Sequence, residues 1–214
     1  MGENGAGKST LMKCLAGVHQ PNEGEVHMSG VPTRIPNVRA AENLGIAFIH
    51  QELNLAENLN IGANVFLGRE PRIFGPFFDQ REIRRRTIEL LGDLELDISP
   101  DTPVSKLSIG HRQMVEIAKA LSQKARILIM DEPTSSLSLH EARVLFRLVN
   151  KLRDEGMCIV FISHRMAEVE ELADRVIVLR DGLNSGELAK EDINHDRIVS
   201  LMVGRKLKIG RAHV

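Results

Sequence analysis

Apolar residues recur along this chain in two rhythms. The first is a set of short runs: "GIAFIH" (45–50), "ILIM" (127–130), "MCIVFI" (157–162) and the run opening "RVIVLRDG" (175–182). Continuous apolar runs are what parallel strands covered on both faces require. The second rhythm is helical. Val144, Leu145, Leu148, Val149 and Leu152 share one face of a helix predicted over Glu141–Glu155 and stopped at Gly156. A further helix is predicted over Lys8–Ala16, stopping at Gly17, and Glu25–Met28 reads as a short strand turning at Ser29-Gly30. Asp181-Gly182 is a turn signal after the last run. Strands alternating with helices predict an α/β fold, a mostly parallel sheet wrapped by helices.

The stretch 57–122 breaks that alternation. "EPRIFGPFF" (70–78) reads as a loop interrupted by proline and glycine, and Asp79-Gln80-Arg81-Glu82 has the spacing of a capping box opening a helix. That helix carries Arg81, Arg84, Arg85 and Arg86, read as a solvated face, and ends in Leu90, Leu91 and Leu94. A helical sub-domain is therefore expected at 57–122, inserted into a core made of 1–56 and 123–206.

Composition narrows the field. The 214 residues are 43% hydrophobic, enough for one large domain or a domain with a sub-domain. Basic and acidic side chains number 28 and 29, a net charge of −1 that argues against a nucleic-acid binder, as does the absence of Tyr and Trp for base stacking. Cys14 and Cys158 sit in apolar stretches and are expected to be buried, reduced thiols. There is no run of about 18 apolar residues and no charged-then-apolar leader, so a soluble, cytoplasmic chain is expected. The eight histidines form no zinc-like spacing, and Met114 reads as core.

Three stretches carry chemistry. "GENGAGKST" (2–10) matches the Walker A pattern, Gly2-x-x-x-x-Gly7-Lys8-Ser9. Its glycines let successive backbone N–H groups turn toward phosphates, Lys8 reaches the β- and γ-phosphates, and the Ser9 hydroxyl binds Mg²⁺. The helix that follows aims its positive end at the anion. "ILIMDE" (127–132) delivers Asp131 and Glu132 at the end of a strand, where ligand sites fall in open α/β sheets. Asp131 suits Mg²⁺ held through water and Glu132 the attacking water, although an acidic pair there also serves as a plain helix start. "LSIGHRQMVEIAKAL" (107–121) places Ser108 and Gly110 at a helix start, able to meet an anion or simply to cap the helix.

With these motifs in order, the sequence resembles the ATP-binding cassette (ABC) ATPases, a P-loop NTPase family. Walker A is followed by Gln51 in "IHQEL", the signature loop Leu107–Gly110, Asp131 with Glu132, the "SSLS" D-loop and His164 in "FISHRM". The resemblance covers about residues 2–206. "IHQELNLAENLNIGANVFLGRE", "MDEPTSSL" and "LMVGR" narrow it to the first cassette of the tandem ATPases energising bacterial importers of ribose, galactose or xylose type.

The resemblance implies ATP and Mg²⁺ as ligands, with Gly2, Asn4, Gly5, Ala6, Gly7, Lys8, Ser9 and Thr10 around the nucleotide and Ser9, Gln51 and Asp131 at the metal. Glu132, His164 and Gln51 are the implied catalytic set: Glu132 acts on water, Gln51 senses Mg²⁺ and water, and His164 touches the γ-phosphate. Ser108 and Gly110 would serve the nucleotide of a second cassette, and the stretch after Gln51 would meet a membrane permease subunit. A sugar-binding protein would act outside, and the chain would sit peripherally at the cytoplasmic face of the plasma membrane. His111, Ser138 and Ile109 depart from the common pattern. In the family a strand and an adenine-stacking aromatic precede the glycine loop, whereas here all seven phenylalanines follow it. "KIGRAHV" resembles a translated sequencing adapter, so 207–214 are expected to be non-native and the chain a fragment. Other readings are a non-transport ABC-type ATPase acting in translation or DNA maintenance, or an inactive fragment.

Overall fold

A computed structural model of the chain describes residues 1–3 and 5–204; Asn4 and the tail 207–214 lie outside the described residues. The polypeptide divides into two compact units, Met1–Lys13 with Ile162–Val214, and Cys14–Phe161.

Helix α1 (Lys8–Leu15) leaves the glycine loop and stops ahead of Gly17, which takes a left-handed φ of 71°. A hairpin of β1 (His27–Met28) and β2 (Val31–Pro32) turns through Ser29 and Gly30, both at positive φ. The strand expected from Glu25 is confined to its last two residues. Helix α2 (Val38–Asn43), capped by the Asn37 side chain, leads to β3 (Ile46–Ile49), and α3 (Ile61–Val65) follows under an Asn60 cap.

"EPRIFGPFF" is not the loop that its proline and glycine suggest. Arg72–Phe74 (β4) pairs antiparallel with Phe77–Phe78 (β5), because Gly75-Pro76 forms a turn between β-prone aromatic flanks. Its aromatic side chains are largely exposed, Phe74 at 83% and Phe77 at 68%. Helix α4 (Gln80–Asp93) begins as expected, with Asp79 Oδ1 accepting the Glu82 N–H at 3.0 Å. The reciprocal half of the capping box is missing: the Asp79 N–H donates to Pro71 O at 2.7 Å, and the Glu82 carboxylate turns to Arg85 and Arg86 instead. Those two hydrogen-bonded guanidiniums hold the Glu82 carboxyl down to about 2. Leu91 and Leu94 are buried, and α4 packs with α3 and with α5 (Ile109–Leu121).

β6 (Ile127–Asp131) runs parallel to β3, in register from Ile46 opposite Ile127 to Ile49 opposite Met130. Helix α6 (Leu139–Asp154) starts two residues earlier than its apolar pattern indicates, because Ser138 and Glu141 form a complete capping box. It buries Val144, Leu145, Leu148 and Val149, each worth about 1.5–3 kcal/mol. β7 (Cys158–Ile162) completes the sheet order β3-β6-β7. Here the sequence expectation fails in part. Cys158 is exposed and Cys14 half-buried, both free thiols, and only Ile162 of β7 is fully buried. β7 lies at the margin of this sheet, so an apolar run there is not covered on both faces.

In the other unit, α7 (Met166–Leu172) precedes a hairpin of β8 (Arg175–Arg180) and β9 (Leu183–Ala189), which turns through Asp181 and Gly182 as expected. β9, "LNSGELA", escapes a reading by apolar pattern, since its glycine and polar residues hide a strand stabilised by its partner. Helix α8 (His195–Val203) packs on the hairpin, and Val169, Val176, Val178, Leu188 and Ile198 form the buried cluster. Met1 lies alongside β8, donating to Ile177 O at 2.6 Å and accepting from Leu179 N at 2.7 Å.

Candidate functional site

The expected site residues divide between the two units. The glycine loop and His164 belong to one; Gln51, Ser108, Gly110, Asp131 and Glu132 belong to the other.

The loop is shaped by backbone that only glycine adopts freely. Gly5 and Gly7 take φ of 84° and 88°. Gly2, at φ 157°, passes so close to β8 that a Cβ there would lie 2.2 Å from Leu179 O. The Ala6 N–H donates back to Glu3 O at 3.2 Å, closing the turn, and the Leu11 N–H donates to Gly7 O at 2.9 Å, beginning α1. Lys8 is buried, and its Nζ donates to Gly2 O and Glu3 O, both at 2.8 Å. The ammonium is thus folded over the loop's own carbonyls. Ser9 and Thr10 follow in the first turn of α1, where backbone N–H groups have no helical acceptor.

His164 is exposed on the short connection between β7 and α7. Its neighbours are not loose. Ser163 Oγ donates to the buried Glu168 carboxylate at 2.6 Å and accepts the Arg165 N–H at 2.9 Å. The sequence reading missed Glu168; a glutamate four residues after His164 on a helix start carries no distinctive signal by itself.

In the other unit, the register of β3 with β6 brings three expected residues to one edge. Gln51 follows Ile49 by two positions, and Asp131 and Glu132 follow Met130, so all lie at the C-terminal end of adjacent parallel strands. Asp131 is buried, and Gln51 is exposed. Glu132 takes a left-handed φ of 48°, a conformation that costs a non-glycine residue about 1–2 kcal/mol. The turn behind it is closed by the Ser135 N–H donating to Glu132 O at 3.2 Å.

Ser108 and Gly110 open α5. Ser108 is the N-cap, its Oγ accepting the His111 N–H at 3.2 Å, which leaves the hydroxyl hydrogen available to an acceptor. Ile109 is 64% exposed and Gly110 is buried. Beside Gly110 lies a residue that the sequence reading did not single out, Glu141. Its Oε2 accepts the Ser138 N–H at 2.7 Å, and its Oε1 stands 3.9 Å from His111 Nε2. Burial pushes the Glu141 carboxyl up, but hydrogen bonds from Ser138 and the charges of His111 and His140 outweigh it and hold the group below its ordinary value. The S-x-x-E spacing of Ser138 and Glu141 is the signal that could have found this carboxylate. Ser138, the departure from the D-loop aspartate, thus has a structural role as the cap of α6.

No described helix is long and apolar enough to cross a membrane. The profile of the family described as ABC transporter matches residues 1–135. The chain is 50% identical over 209 residues to the ribose import ATP-binding protein RbsA of Rhodopirellula baltica, covering 98% of this chain and 41% of that protein. It therefore spans about two fifths of the length of the curated relative it matches. Among solved structures it is similar to the dimeric ATP-binding cassette MJ0796 in a post-hydrolysis state with ADP and Pi: 28% identity, TM-score 0.78, over 89% of this chain and 83% of that one. It is similar in fold to a nucleotide-free ATP-binding cassette from an ABC transporter, with 22% identity, TM-score 0.80, over 95% and 86% of the two chains.

Proposed function

Since the chain belongs to the ABC transporter family, we propose that it is an ATP-binding and ATP-hydrolysing cassette of a bacterial monosaccharide importer, coupling hydrolysis to sugar uptake. The observation that carries this reading is the glycine loop with the buried Lys8 ammonium on the carbonyls of Gly2 and Glu3.

Lys8 exchanges those neutral acceptors for β- and γ-phosphate oxygens, so that its ammonium meets an opposite charge as well as an acceptor. Gly5, Ala6, Gly7, Ser9 and Thr10 present backbone N–H groups to the phosphates at the start of α1. Ser9, Gln51 and Asp131 offer the hard oxygen donors that Mg²⁺ takes. A bound Mg²⁺ supplies neutralisation of the phosphate charge. Glu132 orients the attacking water and accepts its proton, Gln51 helps to orient that water, and His164 contacts the γ-phosphate.

Ser108 and Gly110 serve the nucleotide of a second cassette, through the Ser108 hydroxyl and the N–H groups of the α5 start. Residues 57–122 act as the helical sub-domain, and the stretch after Gln51 meets a permease subunit. A sugar-binding protein on the other side of the membrane delivers the substrate, and the cassette stays peripheral to the inner membrane at its cytoplasmic face. Loss of the γ-phosphate contacts after hydrolysis releases the paired cassettes and resets the permease.

A thermal melt of Glu132→Gln with and without Mg-ATP tests the binding step, because a ligand stabilises only the folded form. At a hundredfold excess over Kd the expected rise in Tm is about 5–10 °C. Lys8→Ala in the same background abolishes most of that rise. A melt indifferent to nucleotide in the Lys8 chain contradicts the reading.

A further inference from the structure

Helix α5 carries Arg112, Glu116 and Lys119 at spacings of four and three residues, hence on one face. All three reach the segment that follows Gln51. Glu116 Oε1 accepts the Asn54 N–H at 2.6 Å, while Lys119 Nζ donates to Asn54 O at 3.0 Å, so one residue's backbone is held from both sides. Arg112 pairs with the Glu57 carboxylate and donates to Ser105 O and Leu107 O, each at 3.2 Å. Between these points Asn64, fully buried on α3, imitates a strand partner. Its Oδ1 accepts the Ala56 N–H at 2.8 Å and its Nδ2 donates to Ala56 O at 3.0 Å. Asn54 is thus fastened by side chains at both its backbone groups, Ala56 by Asn64, and Glu57 by Arg112 together with the Ser105 N–H, which donates to Glu57 O at 3.2 Å.

The clasp is made of groups that are costly to bury. The Glu116 and Lys119 side chains are 12% and 20% exposed, with 3.9 Å between their charged atoms. Burial raises the Glu116 carboxyl above its ordinary range, against the pull of Lys119 and the Asn54 N–H. An apolar pair in those positions would seal α5 at lower desolvation cost. What an apolar pair cannot do is hold a backbone amide at both ends. The same helix starts at Ser108 and Gly110, about 12 and about 9 Å from Glu116 at the rise of an α-helix.

We infer that Glu116 and Lys119 are positioning residues for Gln51: through Asn54 they fix the segment carrying it and tie that segment to the helix that begins with Ser108 and Gly110. This rests on the role given to Gln51 in the proposed function.

Amide NMR relaxation on the full chain, with Mg-ATP turnover, tests it. In Glu116→Ala and Lys119→Ala, order parameters over 51–57 are expected to drop from about 0.85 to below about 0.6, with α5 and β6 unchanged. Turnover is expected to show kcat reduced about tenfold with KM for ATP unchanged, since ground-state binding resides in the Lys8 loop. Glu116→Gln, which keeps an oxygen for the Asn54 N–H, restores both. Unchanged order parameters in both alanine variants overturn the inference, as does a loosened segment with normal kcat. If the unsubstituted chain shows no turnover, the functional reading fails by itself, and the order parameters still decide whether the clasp positions Gln51. Should Glu116→Ala unfold, Lys119→Ala and Glu116→Gln carry the comparison.

Discussion

The carboxylate of Glu141 lies so close to Gly110 that a Cβ on that glycine would stand 2.8 Å from both of its oxygens. Glu141 is held there by the Ser138 N–H at 2.7 Å, so one carboxylate sits at the starts of both α5 and α6. The positive ends of two helices favour a negative group in that position.

Gly110→Ala is therefore expected to push the Glu141 carboxylate out of the capping box, a loss of about 1 kcal/mol that the helix propensity of alanine largely offsets, so that the net cost stays within about 1 kcal/mol. In the Glu141→Ala background the same glycine change should cost less, since the obstructing group is gone. Urea unfolding of the two single variants and the double variant measures the coupling. Additive effects would mean that the contact is not what excludes a side chain at Gly110.

Stability should also depend on pH through Glu141. Its carboxyl in the fold lies below the ordinary 4.5. A group with a depressed folded value contributes stability that is fully present above the unfolded value and is lost as pH falls through the folded one. The difference in urea midpoint between the unsubstituted chain and Glu141→Gln is expected to shrink as pH drops below 4.5. A difference that stays level into acid would contradict the assignment.

Gly2→Ala tests the other unit. A Cβ there meets Leu179 O at 2.2 Å, and a backbone carbonyl in β8 cannot rotate away as a side chain can. The φ of 157° adds backbone strain. A loss of about 3 kcal/mol is expected, read as a lowered denaturant midpoint, together with weakened nucleotide binding. A neutral substitution would show that the loop has room beside β8.

Glu132 separates strain from chemistry. At φ 48° it occupies a conformation that asparagine and glycine tolerate better. Glu132→Asn is expected to be about 1 kcal/mol more stable than Glu132→Gln, which removes the same charge without relieving the backbone strain. Both variants should lose ATP hydrolysis. Retained turnover in either one removes Glu132 from its role with water, and equal stability of the two removes the strain argument.

Much of this arrangement was legible before the fold. The glycine loop, the apolar run delivering Asp131 and Glu132, the helix after Ser108 and the Asp181-Gly182 turn each depend on residues close together in the chain. Their periodicity and turn chemistry act locally. The errors fell where neighbours remote in sequence decide. The proline and glycine of "EPRIFGPFF" suggest a loop, yet its β-prone flanks pair, and Phe77 and Phe78 close a hairpin on Arg72–Phe74. Cys158 sits in an apolar run but stands at the margin of a sheet, and no pattern within the run reveals its place in the strand order.

By itself the sequence determined the groups on offer: a glycine loop with its lysine, an acidic pair at a strand end, and a serine-glycine helix start. Only the tertiary structure decided which charged groups stand against them. Glu116 and Lys119 reach Asn54 across about sixty residues of chain, and Glu141 reaches Gly110 across about thirty. Such contacts follow from which helix packs against which strand, and burial then makes each unpaired charge too costly to leave without its partner.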